Sequence, residues 1–292
     1  VVSRQYDFMI ENTRQSFDEL CNLIQQFISS SRIRREKLLA IGINISGRVN
    51  PETGYSYSYF FFDEKPLTVV LEERLGHRVF IENDSRAMTY GEYIYGIGNG
   101  EQNMLLLNLS WGFGIGMIIN GKLHYGKSGF SGEYGHFPFF DNEIICSCGK
   151  RGCLETEVSG WAAHREFISK LKQGSISMLS KQYKNGNNIT LNDILDVLAK
   201  EDMLAIEIME KIGSSLGRAI AGLINLFNPE VVVLAGTLAT ANDYLVHPMK
   251  SAISKYALNF VSKDTAIKVS KLGDQAGLIG ICAITRNRML GL

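Results

Sequence analysis

Three of the five cysteines in this 292-residue chain lie in one short stretch, C-S-C-G-K-R-G-C, residues 146–153. Gly149 and Gly152 allow the backbone to fold back, so that several sulfurs can face one point. Thiolates grouped in this way favour a structural zinc ion, which takes four ligands in a tetrahedron. His136, ten residues before Cys146, is the candidate fourth ligand. The alternative is three ordinary buried cysteines.

The cysteine count also bears on the compartment of the protein. An odd number of cysteines, clustered along the chain, argues against a disulfide framework and favours the cytosol. Cys21 and Cys282 fall in helical apolar patterns, and we expect them to be ordinary buried cysteines.

Charge and hydropathy narrow the function classes. The 30 basic and 30 acidic side chains give a formal net charge of zero, so bulk charge does not attract nucleic acid or an anionic membrane. No apolar run approaches the ~20 residues that span a bilayer. The first residues lack the pattern of a signal peptide. They also lack an initiator Met, so we expect a fragment or a processed chain.

Carboxylates flank the cysteine stretch on both sides. Glu133 lies in G-E-Y-G-H with His136, and Glu155 follows the last cysteine closely. Folding the stretch around a metal would draw these three side chains together. Such a group suits a polyhydroxylated ligand, because buried hydroxyls need hydrogen-bond partners. The alternative for both glutamates is a surface salt bridge.

A second polar group, E-N-D-S-R-A at residues 82–87, follows a short predicted strand and begins a helix. The carboxylate of Asp84 could take a proton from a substrate hydroxyl. The alternative is that Asn83 or Asp84 only caps the helix, as such residues often do.

Two glycine-containing turns are candidate phosphate sites. In W-G-F-G-I-G, residues 111–116, exposed backbone N–H groups could hold a phosphate, although a plain β-hairpin explains the pattern equally well. L-A-G-T-L-A, residues 234–239, ends a buried strand, the place where open α/β sheets bind ligands. A structural strand-to-helix turn is the alternative there.

The elements that must position these residues alternate between helices and strands, which is typical of an α/β architecture. Helices are predicted over 16–30 with Ser16 as its N-cap, 66–76, 84–96, 205–228, about 241–256 and 275–289. Strands are predicted within 37–46 and over 78–82, 103–110, 114–120, 122–126, 229–236 and 266–272. The polar segment 181–193 is expected to be a surface loop that leads into a short helix.

These motifs together resemble the ROK family of repressors and sugar kinases. G-E-Y-G-H followed by C-S-C-G-K-R-G-C-L-E is similar to the zinc signature of that family. The supporting motifs follow in order along most of the chain: G-I-N-I-S-G-R-V-N-P-E-T-G (42–54), E-N-D-S-R-A-M-T-Y-G-E (82–92), the segment 112–136, and L-I-N-L-F-N-P-E-V-V-V-L-A-G (223–236).

The resemblance implies the two-lobed α/β fold of the actin, hexokinase and heat-shock ATPase superfamily, which is ribonuclease H-like, with sugar bound between the lobes. We expect residues 1–103 to form a smaller N-terminal lobe, joined by a C-terminal helix over 275–292. Residues 104–274 would form the larger lobe, with the zinc loop at 136–153.

The resemblance also implies roles for individual residues. A structural Zn²⁺ would be held by His136, Cys146, Cys148 and Cys153. Sugar would be bound by Asn83, Asp84, Glu133, His136 and Glu155, with Asp84 as the catalytic base if the protein is a kinase. S-G-R-V-N-P at 46–51 resembles a segment near the amide side of N-acetylated sugars, which adds Gly47 and Arg48 as candidate contacts.

The sequence departs from the kinases of the family in its nucleotide motifs. Family kinases carry D-x-G-x-T on their first strand, and this chain is expected to begin after that motif. Their G-T-G-I-G is here G-F-G-I-G, and Phe113 would place an apolar ring where a hydroxyl faces phosphate. The Gly-Gly pair on the adenosine side of their nucleotide site is here Ala235-Gly236. The degraded nucleotide site would consist of Gly112, Gly114, Gly116 and Gly236.

Phosphoryl transfer depends on the positioning of the phosphates and on the stabilisation of their charge. A chain that lacks these motifs should transfer phosphate slowly, so the departures favour the sugar-sensing core of a ROK transcriptional repressor. Its DNA contacts would lie in an N-terminal helix-turn-helix segment outside these residues. The alternative is an ATP-dependent sugar kinase of the glucokinase or N-acetylhexosamine kinase type, with ATP and Mg²⁺ as cofactors. In both cases we expect a cytoplasmic homodimer or homotetramer that binds a sugar or amino sugar.

Overall fold

The computed structural model describes residues 3–8, 10–31, 34–62 and 64–292. Its strands are β1 Ile41–Ile45, β2 Val49–Asn50, β3 Tyr55–Ser56, β4 Val79–Asn83, β5 Met104–Leu109, β6 Phe113–Ile119, β7 Lys122–Leu123, β8 Val231–Ala235 and β9 Ala266–Val269. Its α-helices are α1 Arg14–Ser30, α2 Leu67–Leu75, α3 Asp84–Tyr95, α4 Glu155–Val158, α5 Gly160–Lys172, α6 Ser180–Lys184, α7 Leu191–Leu198, α8 Met203–Phe227, α9 Asp243–Tyr256, α10 Asn259–Asp264 and α11 Ala276–Leu290. Short 3₁₀ turns cover Arg35–Lys37, Glu133–His136, Thr237–Ala241 and Gly273–Gln275. None of the helices in the described residues has the length and apolar character needed to cross a membrane.

Each predicted helix and strand forms, with ends that differ by a few residues from the prediction. The prediction of Ser16 as the N-cap of α1 is wrong. Thr13 caps the helix, since its hydroxyl accepts from the backbone N–H of Ser16 at 3.2 Å. The Ser16 hydroxyl instead accepts from the backbone N–H of Glu11 at 3.0 Å.

Four helices in the described residues lie outside the predicted set: α4, α5, α6 and α10. Helix α5 begins after Ser159, whose hydroxyl accepts from the N–H of Ala162 at 3.2 Å, and it buries Phe167. Helix α6 forms where a surface loop was predicted, because Leu179 and Tyr183 pack against the core there. The short helix expected after this segment is α7, and it begins with a capping box between Thr190 and Asp193.

The chain divides into two compact units. The first contains the described residues of Val1–Tyr95, together with His124–Ser131 and Gln275–Leu292. The second contains Gly96–Leu123 and Gly132–Asp274.

In the first unit, β1 pairs in parallel with β4, so that Ile41 lies opposite Val79 and Ile45 opposite Asn83. Strands β2 and β3 pair antiparallel, and α11 packs against α3. Cys21 is buried as expected, but Cys282 is exposed. The prediction for Cys282 is wrong because α11 buries the opposite face, which carries Gly277, Gly280 and Ile284.

The second unit is built on a five-stranded sheet with the order β7-β6-β5-β8-β9. Every residue of β5 and β8 is buried, as expected for strands covered on both faces. Strand β5 runs antiparallel to β6 and parallel to β8. The carboxyl ends of β5 and β8 therefore meet at one edge of the sheet, where Ser110 and Gly236 follow them.

Candidate functional site

The cysteine stretch forms a tight loop in the second unit. The N–H of Cys146 donates to the carbonyl of Lys150, and the N–H of Gly149 donates back to the carbonyl of Cys146, both at 2.8 Å. Gly152 closes the loop with φ of 71°, and a Cβ at this position would lie 2.1 Å from the carbonyl oxygen of Phe140. Only glycine fits there, so the sequence itself fixes the fold-back of the loop.

The loop brings four metal-ligating side chains together. One donor atom from each lies within 4.8 Å of the others, and the four residues are His136, Cys146, Cys148 and Cys153. The sulfurs of Cys148 and Cys153 are 3.7 Å apart, and the Cys146 sulfur is 3.5 Å from Nδ1 of His136. Sulfurs at 2.3 Å from a tetrahedral zinc would lie about 3.8 Å apart. The cluster therefore fits a zinc-binding site.

The pKa values of the three thiols are shifted in different directions. Burial raises the pKa of Cys153 to about 12 and also raises the pKa of Cys146. Burial acts in the same direction on Cys148, but hydrogen bonds, first that from the backbone at Lys150, lower its pKa overall. Three neighbouring thiolates need a nearby positive charge, and a divalent cation supplies that charge when it binds.

Glu155 connects the cysteine loop to the glycine-containing turn. Its Oε2 accepts from the backbone N–H of Phe113 at 3.0 Å. Its Oε1 accepts from the Ser147 hydroxyl at 3.3 Å and from the Cys146 thiol at 3.5 Å. The second flanking carboxylate, Glu133, places Oε2 3.7 Å from Nε2 of His136.

Asn83 and Asp84 form the candidate group of the first unit, at the junction of β4 and α3. Asn83 caps α3, because its Oδ1 accepts from the backbone N–H of Arg86 at 3.0 Å. Its Nδ2 donates to the carbonyl of Gly47 at 2.9 Å and to Oδ1 of Asp84 at 3.0 Å. Oδ2 of Asp84 accepts from the Ser46 hydroxyl at 2.8 Å. The capping interpretation therefore holds for Asn83. The Asp84 carboxylate is oriented by Asn83, by Ser46 and by the backbone N–H of Ser85, which donates to its Oδ1 at 2.7 Å.

The candidate sugar contacts divide between the two units. Gly47, Arg48, Asn83 and Asp84 belong to the first unit, and Glu133, His136 and Glu155 belong to the second. Within the first unit, Gly47 is joined directly to Asn83. The exposed Arg48 follows it, with its backbone N–H bonded to the Ser58 hydroxyl at 2.9 Å.

The candidate phosphate turn is a β-hairpin connection. Gly114 and Gly116 lie within β6, opposite Asn108 and Leu106 of β5. The expectation that Phe113 would place its ring towards a phosphate is wrong: the side chain is 7% exposed and packs in the core of the second unit. Phenylalanine carries no hydroxyl and its ring points inward, so residue 113 offers the turn no side-chain group that could contact a phosphate.

The second candidate turn follows β8. Gly236 has φ of 85°, and it lies against the polar pair Asn108 and Ser110, which are joined by a hydrogen bond of 2.6 Å. The residues that follow form the 3₁₀ turn Thr237–Ala241. The turn therefore lies at the carboxyl edge of β5 and β8, as the sequence predicts.

Sequence reasoning missed two hydroxyl groups. Ser46, which orients Asp84, directly precedes Gly47 in the quoted S-G-R motif. Ser147, which contacts Glu155, lies between two of the cysteines. Their positions beside candidate residues were the available signal, but serine is too common in turns to stand out.

Comparison with known proteins decides the family. The model of the ROK family matches residues 3–288. The chain belongs to the ROK family. Among ROK relatives, a glucokinase of Halalkalibacterium halodurans is 31% identical over 264 residues, 89% of this chain and 80% of that protein. The DNA-binding transcriptional dual regulator NagC of Escherichia coli is 31% identical over 293 residues, 99% of this chain and 71% of that protein.

Solved ROK structures share the fold. A ROK family transcriptional regulator, a homologue of the E. coli MLC protein, superposes with a TM-score of 0.80 at 29% identity, over 94% of this chain and 69% of that chain. The ROK glucokinase of Streptomyces griseus in complex with glucose and AMPPNP superposes with a TM-score of 0.81 at 24% identity, over 95% of this chain and 89% of that chain. The α/β fold of the actin-like ATPase type is thereby confirmed, and both regulators and kinases are relatives.

Proposed function

We propose that this chain is the sugar-binding core of a ROK transcriptional regulator. The observation that carries the proposal is the state of Phe113. Its ring is buried, and its backbone N–H is bonded to Glu155. This position therefore offers a phosphate neither a hydroxyl nor a free N–H, and the carboxylate beside it repels phosphate oxygens. Because phosphoryl transfer depends on positioning and charge stabilisation, the turn favours sugar binding without efficient transfer.

The proposed sugar contacts are side chains that are already oriented. Asp84 and Asn83 are held by hydrogen bonds within the first unit, and Glu155 is held in the second. Groups fixed in advance bind a polyhydroxylated ligand with a smaller loss of side-chain entropy. We assign Gly47, Arg48, Glu133 and His136 to the same role, and we favour an N-acetylated sugar because of the S-G-R segment.

The proposed zinc ion has a structural role. It would be held by the imidazole and three thiolates of the cluster, which leaves no open position for substrate. By fixing the loop, it would also fix Ser147, whose hydroxyl donates to Oε1 of Glu155. Zinc would thus act on sugar binding through the position of a carboxylate.

In this proposal, a helix-turn-helix segment outside residues 1–292 contacts DNA, since the balanced charge of the chain gives no bulk attraction to it. The named repressors among the relatives, including the xylose repressor of Bacillus subtilis at 27% identity, are consistent with this assignment. We also propose a cytosolic homodimer or homotetramer, in which sugar binding shifts an equilibrium between two conformations by its differential affinity for them.

The second candidate function is an ATP-dependent sugar kinase. The observation that favours it is the Asp84 carboxylate, whose Oδ2 is oriented by Ser46 and which could serve as the catalytic base. The same arrangement serves a regulator that only binds sugar, so Asp84 by itself does not separate the two functions.

The test is a coupled-enzyme assay for ADP release with zinc-loaded protein, ATP, Mg²⁺ and glucose, N-acetylglucosamine or N-acetylmannosamine. The same samples are heated with and without each sugar. We expect no turnover and a rise in melting temperature with at least one sugar, a rise that Asp84→Asn abolishes. The matched control is Asp18→Asn, a surface carboxylate of the same unit paired with Arg74.

Turnover that is lost in Asp84→Asn and kept in Asp18→Asn would establish the kinase and overturn the regulator. A protein that neither turns over nor is stabilised by any of these sugars would contradict both functions as stated here.

A further inference from the structure

A buried ionic network lies directly beside the Asn83–Asp84 pair in the first unit. The side chain of Glu82 is 0% exposed and that of Arg86 is 3% exposed. Oε1 of Glu82 accepts from Nε of Arg86 at 2.7 Å and from the backbone N–H of Asn83 at 2.8 Å. A carboxylate without access to water thus fixes the backbone of the residue that holds Asp84.

Arg86 uses its whole guanidinium group inside the unit. One terminal nitrogen donates to the carbonyl of Gly129 at 2.7 Å, and the other donates to the carbonyl of Val49 at 3.0 Å. Its backbone N–H also donates to Oδ1 of Asn83. The planar fork of arginine therefore locks the start of α3 to two separate segments.

The third member comes from the far end of the sequence. Arg288, in α11, has a side chain that is 24% exposed, and its Nη2 lies 3.4 Å from Oε2 of Glu82 and 3.5 Å from the hydroxyl of Tyr125. Its Nη1 donates to the carbonyl of Pro51 at 3.1 Å. Glu82 therefore receives one arginine on each of its two oxygens.

We infer that Arg288 is a positioning residue for the sugar site, acting on Asn83 and Asp84 through the Glu82 carboxylate. The inference rests on the proposed function, in which those two side chains contact sugar. Without Arg288, Oε2 of the buried carboxylate loses its charged partner. The carboxylate then moves or recruits water, and the displacement passes to the N–H of Asn83 that it holds. Asn83 in turn orients Asp84 through its side-chain amide.

The variant that tests this inference is Arg288→Gln, because Arg288 is the partly exposed member of the network and its loss leaves the Glu82–Arg86 pair in place. Arg286→Gln is the matched control: it lies in the same helix and bonds to Tyr95 and Asn287. Arg288→Lys keeps the charge near Glu82. Binding is measured by calorimetry on the full, zinc-loaded chain, with the sugar that most raises its melting temperature.

We expect Arg288→Gln to weaken sugar binding by about tenfold, Arg288→Lys to restore most of it, and Arg286→Gln to leave it unchanged. Equal affinities in Arg288→Gln and Arg286→Gln would overturn the inference.

A second readout separates this inference from the proposed function, because it needs no ligand. Amide hydrogen exchange over residues 79–87 should be faster in Arg288→Gln than in Arg286→Gln. If the unmodified protein binds none of the sugars, the proposed function fails. Hydrogen exchange alone then tests whether Arg288 positions Asn83 through Glu82. Faster exchange in the first variant retains the positioning role, whereas equal exchange overturns it.

Discussion

Glu155 and Phe113 are 42 residues apart in sequence, and Oε2 of the carboxylate accepts from the backbone N–H of Phe113 at 3.0 Å. The other oxygen of Glu155 lies 3.5 Å from the sulfur of Cys146. One carboxylate therefore joins the cysteine loop to the start of β6. A substitution in either segment that moves the Glu155 carboxylate should therefore change the affinity for sugar.

Gly112→Ala should displace the Glu155 carboxylate. A Cβ at residue 112 would lie 2.9 Å from Oε2 of Glu155, the free end of a flexible side chain. The side chain can rotate away, so we expect a loss in the free energy of unfolding of only about 1 kcal/mol, the net value of a hydrogen bond. Sugar affinity should fall more strongly, and calorimetric titration beside urea denaturation measures both quantities.

The control for this prediction is Gly222→Ala. A Cβ there meets only the Tyr134 hydroxyl, at 3.6 Å. Within helix α8, alanine should be neutral or stabilise the chain by up to about 1 kcal/mol. Unchanged sugar affinity in Gly112→Ala would contradict the role given to Glu155.

Removal of zinc should destabilise the second unit. Chelation removes an ion that binds only the folded loop. The expected loss in the free energy of unfolding is about 4 kcal/mol where the concentration of free zinc is a thousand times its dissociation constant. The measurement is the metal content of purified protein, by mass spectrometry, together with the melting temperature before and after chelation. We expect one zinc per chain.

Single cysteine variants assign the ligands. Cys148→Ser should lose zinc and lower the melting temperature, because serine does not replace a thiolate ligand. Cys282→Ser should keep one zinc per chain, since this thiol is exposed on α11 and lies outside the cluster. Retention of zinc by Cys148→Ser would show that the four-residue set is wrong.

The cysteine loop could be predicted from sequence because its residues are close together in the chain. Three thiols within eight residues, with Gly152 to turn the backbone, place the sulfurs together almost regardless of the remaining fold. The central strands were predicted for a related reason: the apolar runs of β5 and β8 are long enough for a strand and too short for most helices.

The polar network of the first unit could not be predicted in the same way. Glu82 and Arg288 are 206 residues apart, and no spacing pattern connects two charged side chains over that distance. The inward orientation of Phe113 was also missed. The preceding turn and the strand register decide which face of β6 carries its ring, and a shift of one residue would reverse the faces.

Stability should fall at alkaline pH because of Cys21 in α1. Burial raises the pKa of this thiol from its ordinary value of 9.0 to about 11. The thiol ionises at a lower pH in the unfolded chain than in the folded one. Its contribution to the free energy of unfolding is therefore complete below pH 9 and is lost as the pH rises to 11. Urea denaturation at several pH values should show a smaller decrease in Cys21→Ala than in the unmodified protein. Cys282→Ala, which changes an exposed thiol, should follow the unmodified protein, and identical pH profiles for all three would contradict this prediction.

Arg86→Leu should be among the most destabilising substitutions in the first unit. It removes the guanidinium from a carboxylate that is 0% exposed, and a buried charge without its partner costs about 3–5 kcal/mol. Arg74→Leu breaks an ion pair with Asp18 in which both side chains are about half exposed, so it should cost no more than about 1 kcal/mol. Urea denaturation of both variants compares the two free energies of unfolding. Similar losses would show that Arg288, on the other oxygen of Glu82, compensates the buried charge by itself. The double variant Glu82→Leu, Arg86→Leu removes the carboxylate as well. If the unpaired carboxylate causes the loss, the double variant should have a larger free energy of unfolding than Arg86→Leu alone.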